Sequence, residues 1–99
     1  MYGLVPYNLS DKQKCIQFGH AVVEYGLSHY ADEYIDWAKN HKTFIVLDGG
    51  TTNNNLERLG TLNTYANQLE TAGVNIGRFY EPHLNDALTG VVAILDERC

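Results

Sequence analysis

The first helix predicted for this chain displays three polar side chains that could do chemistry: Lys14, Gln17 and His20. At about 100° per residue, Lys14 and Gln17 fall on the polar side of that helix, and His20 falls at the boundary with the apolar side. An amine and an amide donate hydrogen bonds, and an imidazole exchanges a proton near neutral pH. Taken singly, Lys14 is also typical of a solvated lysine and His20 of a structural histidine, so both interpretations stay open at this point.

Signatures of the common catalytic and cofactor sites are missing from the sequence. The four histidines include no pair four residues apart and no HExxH motif, so we expect no metal site. There is no GxSxG elbow, Walker loop or GxGxxG fingerprint, so we expect neither acyl-enzyme chemistry nor a nucleotide cofactor. Residues 49–52 offer free amides to an anion, but ordinary turn geometry is the favoured interpretation. Cys15 falls on the apolar side of the helix and is expected to be a buried, inert thiol.

Charge and length narrow the classes of function. The chain has 99 residues, which fit one domain, 1–99, and it carries seven Lys and Arg against twelve Asp and Glu, a net charge of −5. Because a nucleic-acid backbone is bound by neutralising its phosphates, this balance disfavours general nucleic-acid binding. A local basic patch stays open, since Asp32, Glu33 and Asp36 concentrate acid in one segment while Lys12 and Lys14 lie elsewhere.

Cysteine usage and hydropathy indicate the compartment. Cys15 and Cys99 are too far apart for a metal knuckle and too few for a disulfide framework, so both are expected to be free thiols. The first residues lack the basic and apolar regions of a signal peptide, and no apolar run reaches about eighteen residues. We therefore expect a cytoplasmic protein with no membrane segment and no cofactor.

Capping and periodicity predict three helices. Ser10 and Gln13 match a capping box, so the first helix should begin at Ser10, with an interruption near Gly26 and Ser28. Its core-facing arc comprises Cys15, Ile16, Phe18, Gly19, Val22, Val23 and Tyr25. Ser28 can cap a second helix that ends near residues 40–41. The third helix, closed by Gly73, is marked by Leu56, Leu59, Leu62, Ala66 and Leu69.

Four strands complete the predicted fold, at about residues 2–7, 43–47, 74–80 and 89–95. The second is a continuous apolar run, which is typical of a strand covered on both faces. The last two are joined without a helix, so they are expected to be antiparallel or separated by another strand. The order of elements predicts an α/β fold of three layers, with a mixed four-stranded sheet and helices on both faces.

Residues 14–21, KCIQFGHA, resemble the lysine, glutamine and His-Ala signature that opens the first helix of type 2 peptidyl-tRNA hydrolases. The similarity extends along nearly the whole chain, because residues 78–89 also resemble that family's acidic loop with a threonine entering the last strand. The chain is shorter than usual for the family and is similar to the short versions encoded by large tailed phages. The resemblance implies a peptidyl-tRNA hydrolase type 2-like fold, at work in the host cytoplasm if a phage encodes it.

The activity that this resemblance implies is hydrolysis of the ester between a stranded peptide and its tRNA. Ester hydrolysis needs an oriented water, a group that accepts its proton and donors for the developing oxyanion. Carried over by position, Glu81 would orient water, Thr89 would donate or orient, and Lys14 would stabilise the oxyanion or hold the terminal phosphate. The implied substrate-binding residues are Lys12, Gln17, His20, Arg78 and Asp86.

Three positions depart from the family pattern. Lys14 lies three residues before Gln17 where the family usually has four, so Lys12 stays a candidate for its role. Glu81 stands in place of the usual aspartate, and Leu88 in place of the glycine before the threonine. These departures keep open an alternative function, that of a catalytically altered or inactive relative acting as a protein-binding module.

Surface chemistry should distinguish the two functions. A basic patch around Lys12, Lys14 and Arg78 would favour the hydrolase, whose partner is peptidyl-tRNA. An exposed apolar face without that patch would favour the binding module. A homodimer or a complex with another protein is compatible with either.

Overall fold

The computed structural model describes residues 1–52 and 60–95, which contain both strands and helices. In chain order they are β1 Tyr2–Val5, α1 Asp11–Ser28, α2 Asp32–Asp36, β2 Ile45–Asp48, α3 Thr61–Thr71, β3 Gly77–Glu81 and β4 Ala87–Ala93. A π-helical turn, Trp37–His41, continues α2, and a 3₁₀ turn, Pro82–Leu84, follows β3. Leu56, Leu59 and Cys99, for which the sequence made predictions, lie outside the described residues. Within the described ranges, no helix has the length and apolar character needed to cross a membrane.

The strands form one mixed sheet with the order β2-β1-β4-β3. β1 and β2 are parallel, whereas β4 runs antiparallel to both β1 and β3. The predicted mixed four-stranded sheet is confirmed, and so is the antiparallel arrangement of the last two strands. A register shift between Phe79 and Tyr80 interrupts the ladder just before Glu81.

Helices cover both faces of this sheet, as predicted. The core on the α1 face comprises Met1, Val5, Phe18, Ala21, Tyr25, Trp37 and Val92. The core on the α3 face comprises Leu62, Ala66, Ile76, Leu88, Val91 and Ala93. Successive residues of β4, such as Val91 and Val92, therefore enter opposite cores, as the alternation of a strand requires. The layers are helix, sheet and helix.

The face of α1 that packs on the sheet matches the predicted apolar arc only in part: Phe18 and Tyr25 are buried as predicted. Gln17 and Ala21, expected on the polar side, are buried. Cys15, Ile16 and Val23, expected in the core, are exposed. Hydropathy alone misassigned the face, because a glutamine can be buried when its amide is hydrogen-bonded and a small alanine lets the helix approach closely.

The boundary between α1 and α2 also differs from the prediction. α1 begins as expected, with Ser10 Oγ accepting a hydrogen bond from the Gln13 backbone N at 3.2 Å. It then continues through Gly26 to Ser28, and α2 begins after Ala31 with no side-chain cap. Gly26 serves packing rather than helix termination, since a Cβ there would lie 2.7 Å from the ring of Tyr34.

β2 is exposed, whereas its apolar sequence predicted cover on both faces. All four of its residues are exposed, and among the described strands it lies at the edge of the sheet beside β1. The helices pack mainly on β1, β3 and β4. A run of apolar residues is typical of a buried strand, but it does not show that other elements of the same chain pack over that strand.

α1 lies close to the sheet because glycines stand where the helix crosses it. A Cβ added to Gly90 of β4 would lie 2.7 Å from the backbone O of Gln17 and 3.1 Å from the Cβ of Ala21. A Cβ added to Gly77 of β3 would lie 2.7 Å from the backbone N of Tyr25. Backbone atoms cannot move aside as a flexible side chain can. These two glycines therefore allow the short distance between α1 and the sheet, at which Gln17 lies against β4.

We expect Gly90→Ala to lower the free energy of unfolding by about 1–3 kcal/mol, the usual cost of overpacking a core. The matched control is Gly19→Ala on α1, the helix that Gly90 packs against, because an added Cβ at Gly19 has nothing within 4 Å. This control should raise stability by about 0.5–1 kcal/mol, because alanine is the better helix former. Urea denaturation measures both changes, and a Gly90→Ala variant as stable as wild type would contradict the close approach.

Candidate active site

One chain of hydrogen bonds links β4, α1 and the end of β3. Thr89 Oγ1 donates to Gln17 Oε1 at 2.8 Å, and Gln17 Nε2 donates to Glu81 Oε2 at 2.9 Å. Gln17 Nε2 also donates to Gln13 Oε1 at 3.2 Å. Gln17 and Thr89 are only 1% and 0% exposed, so the bond between them forms away from water. Buried polar groups persist only when they are paired in this way.

The elements position each member of this chain. Thr89 precedes Gly90 in β4, and Gly90 is the point at which the backbone of Gln17 approaches the sheet most closely. Glu81 is the last residue of β3, and its Oε1 accepts a hydrogen bond from the backbone N of His83 at 3.2 Å. The carboxylate is therefore held from two directions, by α1 and by the 3₁₀ turn that follows β3.

The direction of the hydrogen bonds assigns roles to Thr89 and Gln17. Because the single hydroxyl hydrogen of Thr89 points to Gln17 Oε1, the amide is oriented with both of its N–H groups toward Glu81 and Gln13. Neither side chain has a donor left for a ligand. They position Glu81, and a direct role of Gln17 in substrate binding or of Thr89 as an oxyanion donor does not fit this arrangement.

Glu81 lies at a cleft of about 710 Å³ between α1 and the segment that follows β3. Its apolar lining comprises Leu9, Ile16, Phe79, Pro82 and Leu84. Its polar lining comprises Gln13, Gln17, His20, Glu81 and His83. The His20 ring lies on Phe79, with ring centroids 4.3 Å apart. The cleft thus combines a carboxylate and two imidazoles with apolar walls, the usual composition of a small-molecule site.

The surroundings of Glu81 keep it ionised. The hydrogen bond from Gln17 lowers the pKa of the Glu81 carboxyl, the bond from the His83 backbone lowers it further, and the nearby His83 and His20 side chains add to the effect. Each carboxylate oxygen accepts one of these two hydrogen bonds. Since a carboxylate oxygen has more than one lone pair, both oxygens can still accept a hydrogen bond from water or a ligand.

The cations that the sequence grouped together lie apart. Lys14 lines a second groove, of about 320 Å³, beside Phe18 and Phe44, and its Nζ lies 3.7 Å from Asp11 Oδ1. Arg78 points toward α3, where its Nη2 lies 2.8 Å from Glu70 Oε1. Lys14 therefore lies near β2 and Arg78 near α3, so these two members of the expected basic patch of Lys12, Lys14 and Arg78 do not come together.

The remaining predicted residues occupy different positions relative to the cleft. Lys12 is exposed on the first turn of α1, and Asp86 is exposed in a left-handed conformation with its backbone N bonded to Glu81 O at 3.0 Å. His20 lines the cleft, as a functional residue would. The structure therefore brings Gln17, His20 and Glu81 together and leaves both lysines outside.

The cleft residues that the sequence did not predict include Gln13, Phe79 and His83. Gln13 was assigned only to the helix cap, although it lies one turn before Gln17 and on the same side of α1. His83 could have been predicted from the sequence, because it lies only two residues after the predicted carboxylate of Glu81. No group of three or more potential metal ligands occurs in residues 1–52 and 60–95.

We expect Thr89→Val to destabilise the protein by about 1–3 kcal/mol, because it leaves the buried Gln17 Oε1 without its donor. Thr89→Ser is the matched control, since it keeps the hydroxyl and removes only a methyl group. Urea denaturation should therefore rank Thr89→Ser as the more stable of the two. Equal stabilities, or a more stable Thr89→Val, would mean that the hydroxyl does not hold Gln17.

We expect Gln17→Met, which removes the donor at nearly constant volume, to raise the pKa of Glu81 toward its ordinary value. Because the folded-state pKa lies below the unfolded value of about 4.3, ionisation of Glu81 stabilises the fold above that pH and ceases to do so as the pH falls through the folded-state pKa. Acidification should consequently cost wild type more stability than Gln17→Met. A carbon-13 NMR titration of the carboxyl, with urea denaturation at neutral and acid pH, measures both effects.

The control for that titration is Gln13→Met, which leaves the Gln17 donor in place. The pKa of Glu81 should stay below its ordinary value in this variant. If Gln17→Met left the pKa of Glu81 unchanged, the hydrogen bond would not be what holds the carboxylate ionised.

Comparison with known proteins supplies no relative from which a role could be transferred: neither protein-family models nor curated protein sequences match this chain. The chemistry of the cleft therefore follows from its own groups. An ionised carboxylate can orient a water molecule, an imidazole can exchange a proton, and the apolar walls can hold an apolar part of a substrate. That combination suits attack by water on a carbonyl.

Proposed function

We propose that the protein hydrolyses the ester bond of peptidyl-tRNA in the cleft at Glu81. The observation that carries this proposal is the carboxylate of Glu81, held at the cleft by Gln17 and by the His83 backbone with further acceptor capacity on both oxygens. The resemblance of residues 14–21 to the opening of the first helix in type 2 peptidyl-tRNA hydrolases supports the choice of ester.

In this mechanism Glu81 accepts a hydrogen bond from the attacking water and so directs its lone pair at the ester carbonyl. As the new carbon–oxygen bond forms, the water proton moves toward the carboxylate, and it leaves on the 3′-hydroxyl of the tRNA when the ester bond breaks. A carboxylate with a lowered pKa is a weak base, so its main contribution is orientation of the water. His20, His83 and the amide nitrogen of Gln13 lie in the cleft and can donate a hydrogen bond to the developing oxyanion.

The apolar wall of the cleft suits the residue that carries the ester. Ile16, Phe79 and Leu84 lie in the same cleft as Glu81 and offer a surface for an apolar side chain. Lys12 and Lys14, on the first turns of α1 and outside this cleft, would bind phosphates of the tRNA instead of the reacting ester. Their contribution is to affinity, and it should depend on salt.

A second candidate function, that of a protein-binding module without hydrolase activity, is favoured by two observations on the surface. Lys14 and Arg78 lie apart, so the basic patch does not include both, and the apolar residues of β2 are exposed. These are the surface features that the sequence associated with the binding module. Hydrolysis stays the first proposal, because a binding surface at β2 does not explain the chain of hydrogen bonds that holds Glu81.

The test is release of peptide from a peptidyl-tRNA whose N-terminus is blocked. We expect Glu81→Gln to lose about 10²- to 10⁴-fold in kcat, the usual contribution of a group that orients water or moves a proton. The matched control is Glu33→Gln, the same change on the exposed surface of α2, which should keep wild-type activity. Lys14→Ala should raise KM more than it lowers kcat, as expected when a binding contact is lost.

Two results would overturn the proposal. If wild-type protein released peptide at the rate seen without enzyme, the hydrolase would be excluded and the binding module would stand. If Glu81→Gln were as active as Glu33→Gln, the reaction would take place elsewhere on the molecule.

A further inference from the structure

The hydrogen bonds that orient Gln17 also orient the amide of Gln13. An ionised carboxylate only accepts hydrogen bonds, so the Gln17 atom that lies 2.9 Å from Glu81 Oε2 is its nitrogen, Nε2. The same nitrogen lies 3.2 Å from the side chain of Gln13, and the atom that accepts from it must be the oxygen, Oε1. The amide nitrogen of Gln13 is the other branch of that planar group, so it is directed away from Gln17.

The amide nitrogen of Gln13 is available to a ligand. Gln13 is exposed and lines the cleft. Within residues 1–52 and 60–95, hydrogen bonds to the Gln13 amide use its Oε1, and none uses its Nε2. Two N–H groups therefore remain for a ligand, and the chain from Thr89 through Gln17 sets their direction.

This donor adjoins the carboxylate of the cleft. Gln13 Oε1 and Glu81 Oε2 accept from one and the same nitrogen, at 3.2 and 2.9 Å, so the two side chains are neighbours. Attack of water on a carbonyl needs two such groups side by side. One is an acceptor that orients the water, and the other is a donor for the oxygen on which negative charge develops.

The imidazoles of the cleft suit the second role less well. No hydrogen bond within the described part of the chain determines which ring nitrogen of His20 or His83 carries the proton, so each nitrogen can be a donor or an acceptor. The Gln13 amide, held by its own oxygen, presents only a donor. A donor that is already oriented stabilises a developing charge best, because it does not have to reorient during the reaction.

We propose that Gln13 Nε2 donates the hydrogen bond that stabilises the oxyanion during hydrolysis at Glu81, so that Gln13 is a catalytic residue alongside Glu81. This inference rests on the proposed hydrolysis. As water attacks, the π electron pair of the ester carbonyl moves onto its oxygen, which accepts the hydrogen bond from Gln13. The pair returns when the bond to the tRNA 3′-oxygen breaks. Gln13 gains and loses no proton, so its contribution does not require a titrating group.

Peptide release by Gln13→Glu at about pH 8, where both carboxyls are ionised, separates this role from a structural one. The change keeps an oxygen that accepts from Gln17 and replaces the amide nitrogen by a second oxygen. We expect kcat to fall about 10²- to 10³-fold, the usual contribution of one oxyanion donor, with little change in KM. The matched control is Gln68→Glu on α3, across the sheet, which should keep wild-type activity.

Gln13→Met removes the donor without adding a charge, and it should lose a similar factor in kcat. A carbon-13 NMR titration of this variant should show that the pKa of Glu81 is still below its ordinary value, which assigns the loss to the missing donor. If the pKa of Glu81 returned to its ordinary value, Gln13 would be a positioning residue and its role as donor would be overturned.

The outcomes separate this inference from the proposed function. If Glu81→Gln lost activity while Gln13→Glu or Gln13→Met released peptide as fast as Gln68→Glu, hydrolysis at Glu81 would stand and the role of Gln13 would be overturned. If wild type released peptide only at the rate seen without enzyme, both would be overturned.

Discussion

The buried amide of Gln17 is the interaction on which the arrangement of the cleft depends. An amide taken out of water must satisfy its oxygen and both of its N–H groups, and here Thr89, Glu81 and Gln13 do so. The hydroxyl of Thr89 orients the amide, and the amide orients the carboxylate. Three elements that are distant in sequence are thereby tied to one geometry, and the carboxylate that they hold at the cleft, Glu81, can still accept a hydrogen bond from a ligand.

Close packing makes that hydrogen-bond chain possible. Gly90 and Gly77 let α1 approach the sheet until helix and strand backbones are nearly in contact, and in this arrangement Thr89 Oγ1 lies 2.8 Å from Gln17 Oε1. Any side chain at Gly90 would push against the Gln17 carbonyl itself. The glycines that bring the helix to the sheet and the polar residues that form the candidate site are therefore parts of one constraint. The two edges of the sheet differ accordingly: the β3 edge carries the cleft, whereas the β2 edge is apolar and exposed.

Local sequence signals predicted the helices and strands well. They predicted less well which residues are buried by elements that are distant in sequence. The Ser10 cap begins α1 where expected, and the order of elements is consistent with the mixed sheet and its two covered faces. The predicted buried face of α1 was right for Phe18 and Tyr25 and wrong for Gln17. Hydropathy counts Gln17 as polar and carries no information about its partners 64 and 72 residues later in the chain. The prediction that β2 is covered on both faces was wrong for a related reason: the apolar character of a strand does not show which surface packs against it. Glu81 was predicted as a site residue from the resemblance to type 2 peptidyl-tRNA hydrolases, whereas Gln13 and His83 of the same cleft were not predicted.

By itself, the sequence determined the class of fold, because capping, periodicity and strand propensity act over a few residues. The helices and strands can therefore be predicted in order along the chain. The sequence also determined which polar groups were present to do chemistry. Only the tertiary structure decided which of them meet. Lys14 and Gln17 are three residues apart, yet one lines the groove beside β2 and the other lies buried beside Glu81. Three residues turn an α-helix by about 300°, so the two side chains start only about 60° apart around α1. The packing of α1 against the sheet decides which of these two neighbours is buried at the cleft.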